Sequence, residues 1–416
     1  MVKMKSALVG FLIVMVVALS LFPAGANAAK ILYIGGTMAL TGAFAEDTAA
    51  VLSAYEDYMK YVNEKKLMAP WRNETFPADI TLELLWRDDE LKPAKALTIY
   101  EELKAKGMLV YRISGSSIAL ALKDRLNDDS IGAPSMAAGP YLLSPPQSIF
   151  TSYPIYTDNL GAVADWFIAN WKETRNPRVA YLTADNAMGK AIEIPEMEAY
   201  LKKVGYEFLG SQYVPLVPTT PPTTQLMWLK EKKVDLALGV MIDPGSQPTI
   251  KEAVRLDMGP RLGSKITFAF CNTHLDVMIR SMGAELSEGV VTPGDLPPRD
   301  YPSAGIKFLN ELQDKYRPDK KVTHIMYAHG MVEVMVQVEA LRLALQEVPF
   351  EKLKPVDVLK NGFYRIKNLD TGELTGTPLT YGPGIIEGCK AVPVWQAQGG
   401  KIVKLGVWPI RHIYKK

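Results

Sequence analysis

From Lys30 onward the chain alternates short apolar runs with helical periodicity, and it does so twice. "KILYIGG" reads as a strand. Glu46 to Glu64 follows as a helix with apolar positions Leu52, Tyr55, Met59 and Tyr61 or Val62. "ITLELLW" alternates as a strand and ends in Arg87-Asp88-Asp89. Then come a helix over Pro93–Ala105, a strand "MLVYRI", a helix over Ser117–Leu126 and a short buried strand "IGAPSM". Strands that alternate with helices imply right-handed crossovers and a parallel sheet covered on both faces. The pattern restarts with helix Asp158–Trp171, strand "RVAYLTA", helix Lys190–Lys203 and strand "YEFLGSQYVP". After the loop "PTTPPTT" come a helix to Lys232, strand "VDLALGVM", helix Gln247–Leu256 and strand "ITFAFC". Two such series predict an α/β protein with two similar lobes. Two long helices, Ala304–Tyr316 and His324–Gln346, follow "EGVVTPGDLPP" without strands between them and complete an earlier lobe. A ligand is then expected in the crevice outside the carboxyl ends of the strands.

The first residues bear on the compartment. Lys3 and Lys5 precede an uncharged apolar run from Ala7 to Phe22, and Ala26-Asn27-Ala28 fits the small-x-small cleavage rule. Residues 1–28 therefore read as a signal peptide cut after Ala28, with export to a Gram-negative periplasm. The run is short for an uncleaved membrane anchor. Cleavage of the 416 residues would leave 388, which suits two lobes better than one core. The leader carries two lysines and no acid, so the remainder holds 45 basic and 45 acidic residues. That balance argues against nucleic acid or an anionic membrane as partner. The two cysteines, Cys271 and Cys389, allow at most one disulfide in an oxidising compartment. The four histidines (His274, His324, His329, His412) lack metal-ligand spacing, so no metal or cofactor is expected.

One stretch invites chemistry. In "LVYRISGSSIAL" a strand ends in Ser114-Gly115-Ser116-Ser117 and a helix opens. A nucleophile elbow needs Gly-x-Ser-x-Gly, and neither glycine position is met around Ser116. A serine hydrolase using Ser116 with His324 or His329 is thus a remote alternative. A phosphate loop needs Gly-Lys before the helix, and a dinucleotide fingerprint needs GxGxxG; both are absent. An anion grip at a helix start remains, built from N–H groups and a serine hydroxyl, beside the plain alternative of an N-capping serine.

Five stretches taken together resemble the substrate-binding proteins of branched-chain amino-acid-type ABC transporters: "GGTMALTGAFAED", "RDDELKPAKALTIYEEL", "ISGSSIALAL", "YPIYTDNLGAVADWF" and "RVAYLTADNAMGKA". The resemblance implies the type I periplasmic binding protein fold, with two Rossmann-like lobes, each a parallel sheet flanked by helices, joined by three hinge crossovers. It divides the chain into lobe 1 (29–155 plus 294–380) and lobe 2 (156–293 plus 381–416). It also implies a monomer that is not an enzyme, captures a small ligand and docks transiently on membrane permease subunits; a sensor feeding a signalling receptor is the alternative. Ser116 matches the serine that holds the ligand carboxylate, with Ser117 next on the helix, and Ala137 and Ala138 match the second loop on that side. Across the cleft, Met188 stands where an aromatic is common. Ile242 and Asp243 stand where a tyrosine meets the ligand ammonium, and Asn272 replaces the acid that pairs with it. Those departures suit a carboxylate with an apolar or aromatic body, packed on Met188, Ile242 and Phe44; a branched-chain or other amino acid is the alternative, with Asp243 as its acid if that side chain points inward.

Overall fold

The computed structural model describes residues 30–143, 147–259, 266–294 and 296–414. The leader and its cut at Ala28 lie outside the described residues. Two sheets organise the chain. In the first, β1 (Lys30–Met38) runs parallel between β2 (Ile80–Asp88) and β3 (Met108–Arg112). Parallel bridges from Val110 to Gly132 and from Ile113 to Ser135 lead on to the short pair β4 (Ala133–Pro134) and β5 (Ile149–Phe150). "IGAPSM" thus yields only two strand residues; Pro134 has no N–H to extend a ladder.

Helices α1 (Ala45–Lys65), α2 (Pro93–Ala105) and α3 (Ser116–Asp128) make the connections. On α1 the buried stripe is Val51, Tyr55, Tyr58 and Val62, whereas Leu52 is only half-buried. The stripe is wide because α1 is covered on two sides, by its sheet and by returning chain.

The second sheet has seven strands. Five are parallel: β6 (Arg178–Ala184), β7 (Glu207–Val214), β8 (Leu236–Val240), β9 (Thr267–Cys271) and β10 (Val291–Pro293). Beyond β10 an antiparallel hairpin, β11 (Ala391–Gln398) and β12 (Lys401–Pro409), closes the edge. It adds an antiparallel edge to a sheet whose other five strands are parallel. β8 is buried at every position, as a strand covered on both faces should be. The covering helices are α4 (Tyr156–Asn170), α5 (Ala187–Lys190), α6 (Pro195–Val204), α7 (Thr223–Glu231), α8 (Asp243–Arg255) and α9 (Leu275–Ser287). The single helix expected over 190–203 is two, because Pro195 starts a new one at its first turn.

The chain then returns. α10 (Ala304–Tyr316) and α11 (Met326–Glu347) pack on α1. Phe308 meets Tyr61 edge-on at 4.8 Å, and Arg317 and Tyr327 both bond the buried Asp57. Thr151 pairs with Glu387 before the chain enters β11. No helix among the described residues is long and apolar enough to cross a membrane.

Candidate functional site

A cleft with about 680 Å³ of empty space, part of it open to solvent, lies where β3, β6, β8, β9 and β10 deliver their carboxyl ends. The strand-to-helix turn singled out in the sequence forms one wall. Its N-cap Gly115 is extended, and no side chain caps the first turn of α3. The serines there take separate duties. Ser114 faces the cavity, yet its hydroxyl donates to Asp89 while accepting from Thr37 at 3.4 Å. Ser116, buried, lines the cavity beside the Tyr156 phenol. Ser117 does not line it.

The Asp88-Asp89 turn fixes this wall. Asp88 accepts from the Leu40 and Glu90 N–H groups and from the Thr41 hydroxyl. Ala137 and Ala138 also line the cavity, but their backbone is partly committed: the Ala137 N–H donates to Ser135 Oγ at 3.0 Å and the Ala138 carbonyl accepts from Tyr156 at 2.8 Å. Phe44 completes this side.

The facing wall carries Met188, Ile242 and Asn272. Asn272 adopts left-handed φ 60°, which asparagine tolerates, and points Nδ2 at the Tyr156 hydroxyl (3.3 Å) and Met188 Sδ (3.4 Å). Tyr156 thus links Ser116 on one wall to Asn272 on the other. Burial raises its pKa, so it is a poor base for Ser116. Asp243 does not line the cavity. At the start of α8 it turns away, accepting from the His274 N–H at 3.1 Å and bonding His274 Nδ1 at 2.7 Å. Cys271 and Cys389 are free buried thiols, so the bridge considered from sequence is not formed. Cys271 ends β9 on the cavity wall, whereas Cys389 precedes β11 and lines a different cavity.

Sequence reasoning missed the polar end: Asp47, His274 and His329 line the cavity, with His324 behind. Asp47 sits one turn into α1, but the histidines arrive from the loop after β9 and from the returning chain, with no local spacing to announce them. His324 Nε2 lies 3.2 Å from Asp47 Oδ1, and its ring meets His274 edge-on at 5.3 Å. Burial, then His274, pulls His324 down to about 4. His329 stacks on Tyr153 at 4.3 Å, and burial followed by the Arg112 charge pulls it down to about 3.

Asp47, His274 and His324 present atoms within 4.8 Å of one another, close enough for a metal ion. The tautomer speaks against one. His324 Nδ1 accepts the Met326 N–H at 3.2 Å at the start of α11, so the neutral ring carries its proton on Nε2, facing Asp47. The trio is a complete hydrogen-bonded arrangement with that nitrogen as donor. Gly294, at φ 69°, closes the cavity where the chain leaves β10; a Cβ there would overlap the Asn159 amide oxygen.

The periplasmic binding protein family model matches residues 32–361. No curated protein matches significantly. Among solved structures, a branched-chain amino acid ABC transporter protein from Thermus thermophilus with bound valine superimposes with TM-score 0.79 at 19% identity, covering 92% of this chain and 97% of that one. A fatty acid ABC transporter substrate-binding protein from Thermomonospora curvata gives 0.76 at 19% identity, over 93% and 94%. A solute-binding protein from Rhodopseudomonas palustris in complex with 3,4-dihydroxybenzoic acid gives 0.72 at 18% identity, over 91% and 98%. At such identities the likeness speaks for the fold: two α/β lobes of the type I periplasmic binding protein kind.

Proposed function

Because the chain belongs to the periplasmic binding protein family, we propose that it is the solute-binding component of an ABC importer. It captures a small carboxylate between its lobes and presents the closed form to a membrane permease. In this reading residues 1–28 are removed after Ala28 on export to the periplasm. The lobes comprise 29–155 plus 294–380 and 156–293 plus 381–416, and the protein acts as a monomer. Closure on the ligand is the signal: a ligand shifts the lobes only by its differential affinity for the closed state.

The ligand class rests on one observation above the others: Asp243 is turned onto His274, and the residue left on that wall is Asn272. A buried ammonium without a carboxylate partner is costly. Asp47 is the one acid lining the cavity among the described residues, and His324 Nε2 already lies against it. A carboxylate, by contrast, suits the uncapped start of α3 and the Ser116 hydroxyl. Met136, Met188, Ile242, Met326 and Phe44 offer its body an apolar, adaptable surface. We therefore favour an aromatic or branched aliphatic acid without an α-amino group. The relatives with valine and with 3,4-dihydroxybenzoic acid illustrate that this fold accepts either kind.

Calorimetry against matched pairs, leucine with 4-methylpentanoate and phenylalanine with phenylpropanoate and benzoates, tests the reading. The des-amino member of a pair should bind more tightly, and Ser116→Ala should weaken it roughly tenfold or more, the loss of one charge-assisted hydrogen bond. Tight leucine binding with no des-amino acid bound would sink it.

A further inference from the structure

A second polar cluster lies away from the ligand cleft, where the first and third passages between the lobes meet the C-terminal tail. Asp158 stands in the first turn of α4, Glu387 just past the pairing with Thr151, and His412 in the tail beyond β12. Each carboxylate has one oxygen committed to backbone. Asp158 Oδ1 accepts from the Arg411 and Ile413 N–H groups, both at 3.2 Å, and Glu387 Oε1 accepts from Ile155 at 3.0 Å. The other oxygens, Asp158 Oδ2 and Glu387 Oε2, are buried without a hydrogen-bond partner. Asp158 is 1% and Glu387 6% exposed. One ligand atom from each carboxyl and one ring nitrogen of His412 lie within 4.8 Å of one another.

Two buried like charges side by side, with the Tyr414 phenol the neutral side chain bonded to Glu387, are an arrangement that needs a positive partner or a proton. His412 approaches Glu387 Oε2 only to 3.5 Å and is half-exposed. Glu387 and His412 open onto a surface cleft of about 780 Å³ that also admits Cys389 and Tyr414, so an ion has a route in.

We propose that Asp158, Glu387 and His412 bind a divalent metal ion of the zinc class. Two carboxylate oxygens and an imidazole nitrogen, with water in a fourth position, suit zinc, whereas calcium and magnesium take oxygen-only sets. The ion ties the tail to the two passages, so its reading is stability of that junction. It does not rest on the identity of the ligand in the main cleft.

The test uses the full mature chain, stripped with a chelator and dialysed. Metal content is measured by mass spectrometry after addition of zinc, manganese, calcium or magnesium, and thermal melting is followed in parallel. One equivalent of zinc is expected, with the melting temperature rising as zinc is added. Calcium and magnesium should be retained poorly. His412→Ala, at an exposed side chain, and the near-isosteric Glu387→Gln should each weaken zinc by about tenfold or more while leaving the fold intact. Two outcomes overturn the proposal. One is no zinc at millimolar concentration, which would mean the pair shares a proton. The other is zinc that survives both variants but is lost in His324→Asn, which would put the ion in the main cleft.

Discussion

Arg112 and Glu333 make the sharpest energetic test, because both are buried (0% and 1% side-chain exposure) and opposite in charge. Arg112 Nε lies 3.2 Å from Glu333 Oε2, and its Nη1 donates to the Thr37 carbonyl at 2.9 Å, tying β3 to β1 and to α11. Removing one partner strands the other, at a cost of about 3–5 kcal/mol. The two single variants should nevertheless differ. An arginine cannot shed its proton in a protein, so Glu333→Leu leaves a permanent buried charge. A glutamate can take up a proton, and burial already raises the Glu333 pKa against the opposing pull of Arg112.

In Arg112→Met the Glu333 pKa climbs further above its unfolded value near 4.3, so the proton neutralises the site in acid. A group with a raised folded pKa loses stability as pH rises toward that pKa. Relative to wild type at the same pH, Arg112→Met should therefore cost more at about pH 8 than at about pH 5. Glu333→Leu should cost the same at both. The double variant leaves the Thr37 carbonyl, and the weakly accepting Met38 and Met136 sulfurs, short of a donor, worth about 1–3 kcal/mol, so the cycle should show a coupling of at least about 2 kcal/mol. Urea unfolding at fixed m-value gives all four numbers. Costs that simply add, or an Arg112→Met cost that does not change with pH, would refute the reasoning.

Other outcomes follow from the same structure. His324 and His329 have folded pKa values of about 4 and 3, below the ordinary 6.5, so their contribution is complete above that value and lost as pH falls. At about pH 4, His324 alone should account for about 3 kcal/mol, and His324→Asn, whose amide oxygen can still accept the Met326 N–H, should flatten the acid limb of a melting-temperature profile. Gly294→Ala combines positive φ with overlap on Asn159 and should destabilise by about 1–3 kcal/mol in urea, with weaker ligand binding. Phe363 stacks face-on against Phe150 at 4.5 Å; Phe363→Ala should cost about 3–5 kcal/mol in the same assay.

The parallel strands and their helices were legible because each element states itself locally. The helices over Pro93–Ala105 and Ala304–Tyr316 follow from periodicity and a start signal, proline in one and Ser303 in the other. The hairpin of β11 and β12 was equally open to reading and was missed: Gly399-Gly400, at φ 56° and 76°, separates two alternating runs.

The candidate cleft divides along the same line. Ser116, Ala137, Ala138, Met188, Ile242, Asn272 and Phe44 reach it from strand ends whose positions a repeated βα pattern sets in advance. Ser117 and Asp243 stand one residue from lining positions and fail because direction, not place, decides: Ser117 lies one step further round α3, and Asp243 is captured by His274. That capture depends on a loop thirty-one residues later in the chain. His329 depends on α11 coming back across α1, a contact between segments that share no local pattern. A cleft built from strand ends can therefore be located from one sequence, while its charge cannot. The groups that surround Asp47, His324 and His329 come from three separate stretches, and only the folded chain decides which of them a ligand would meet.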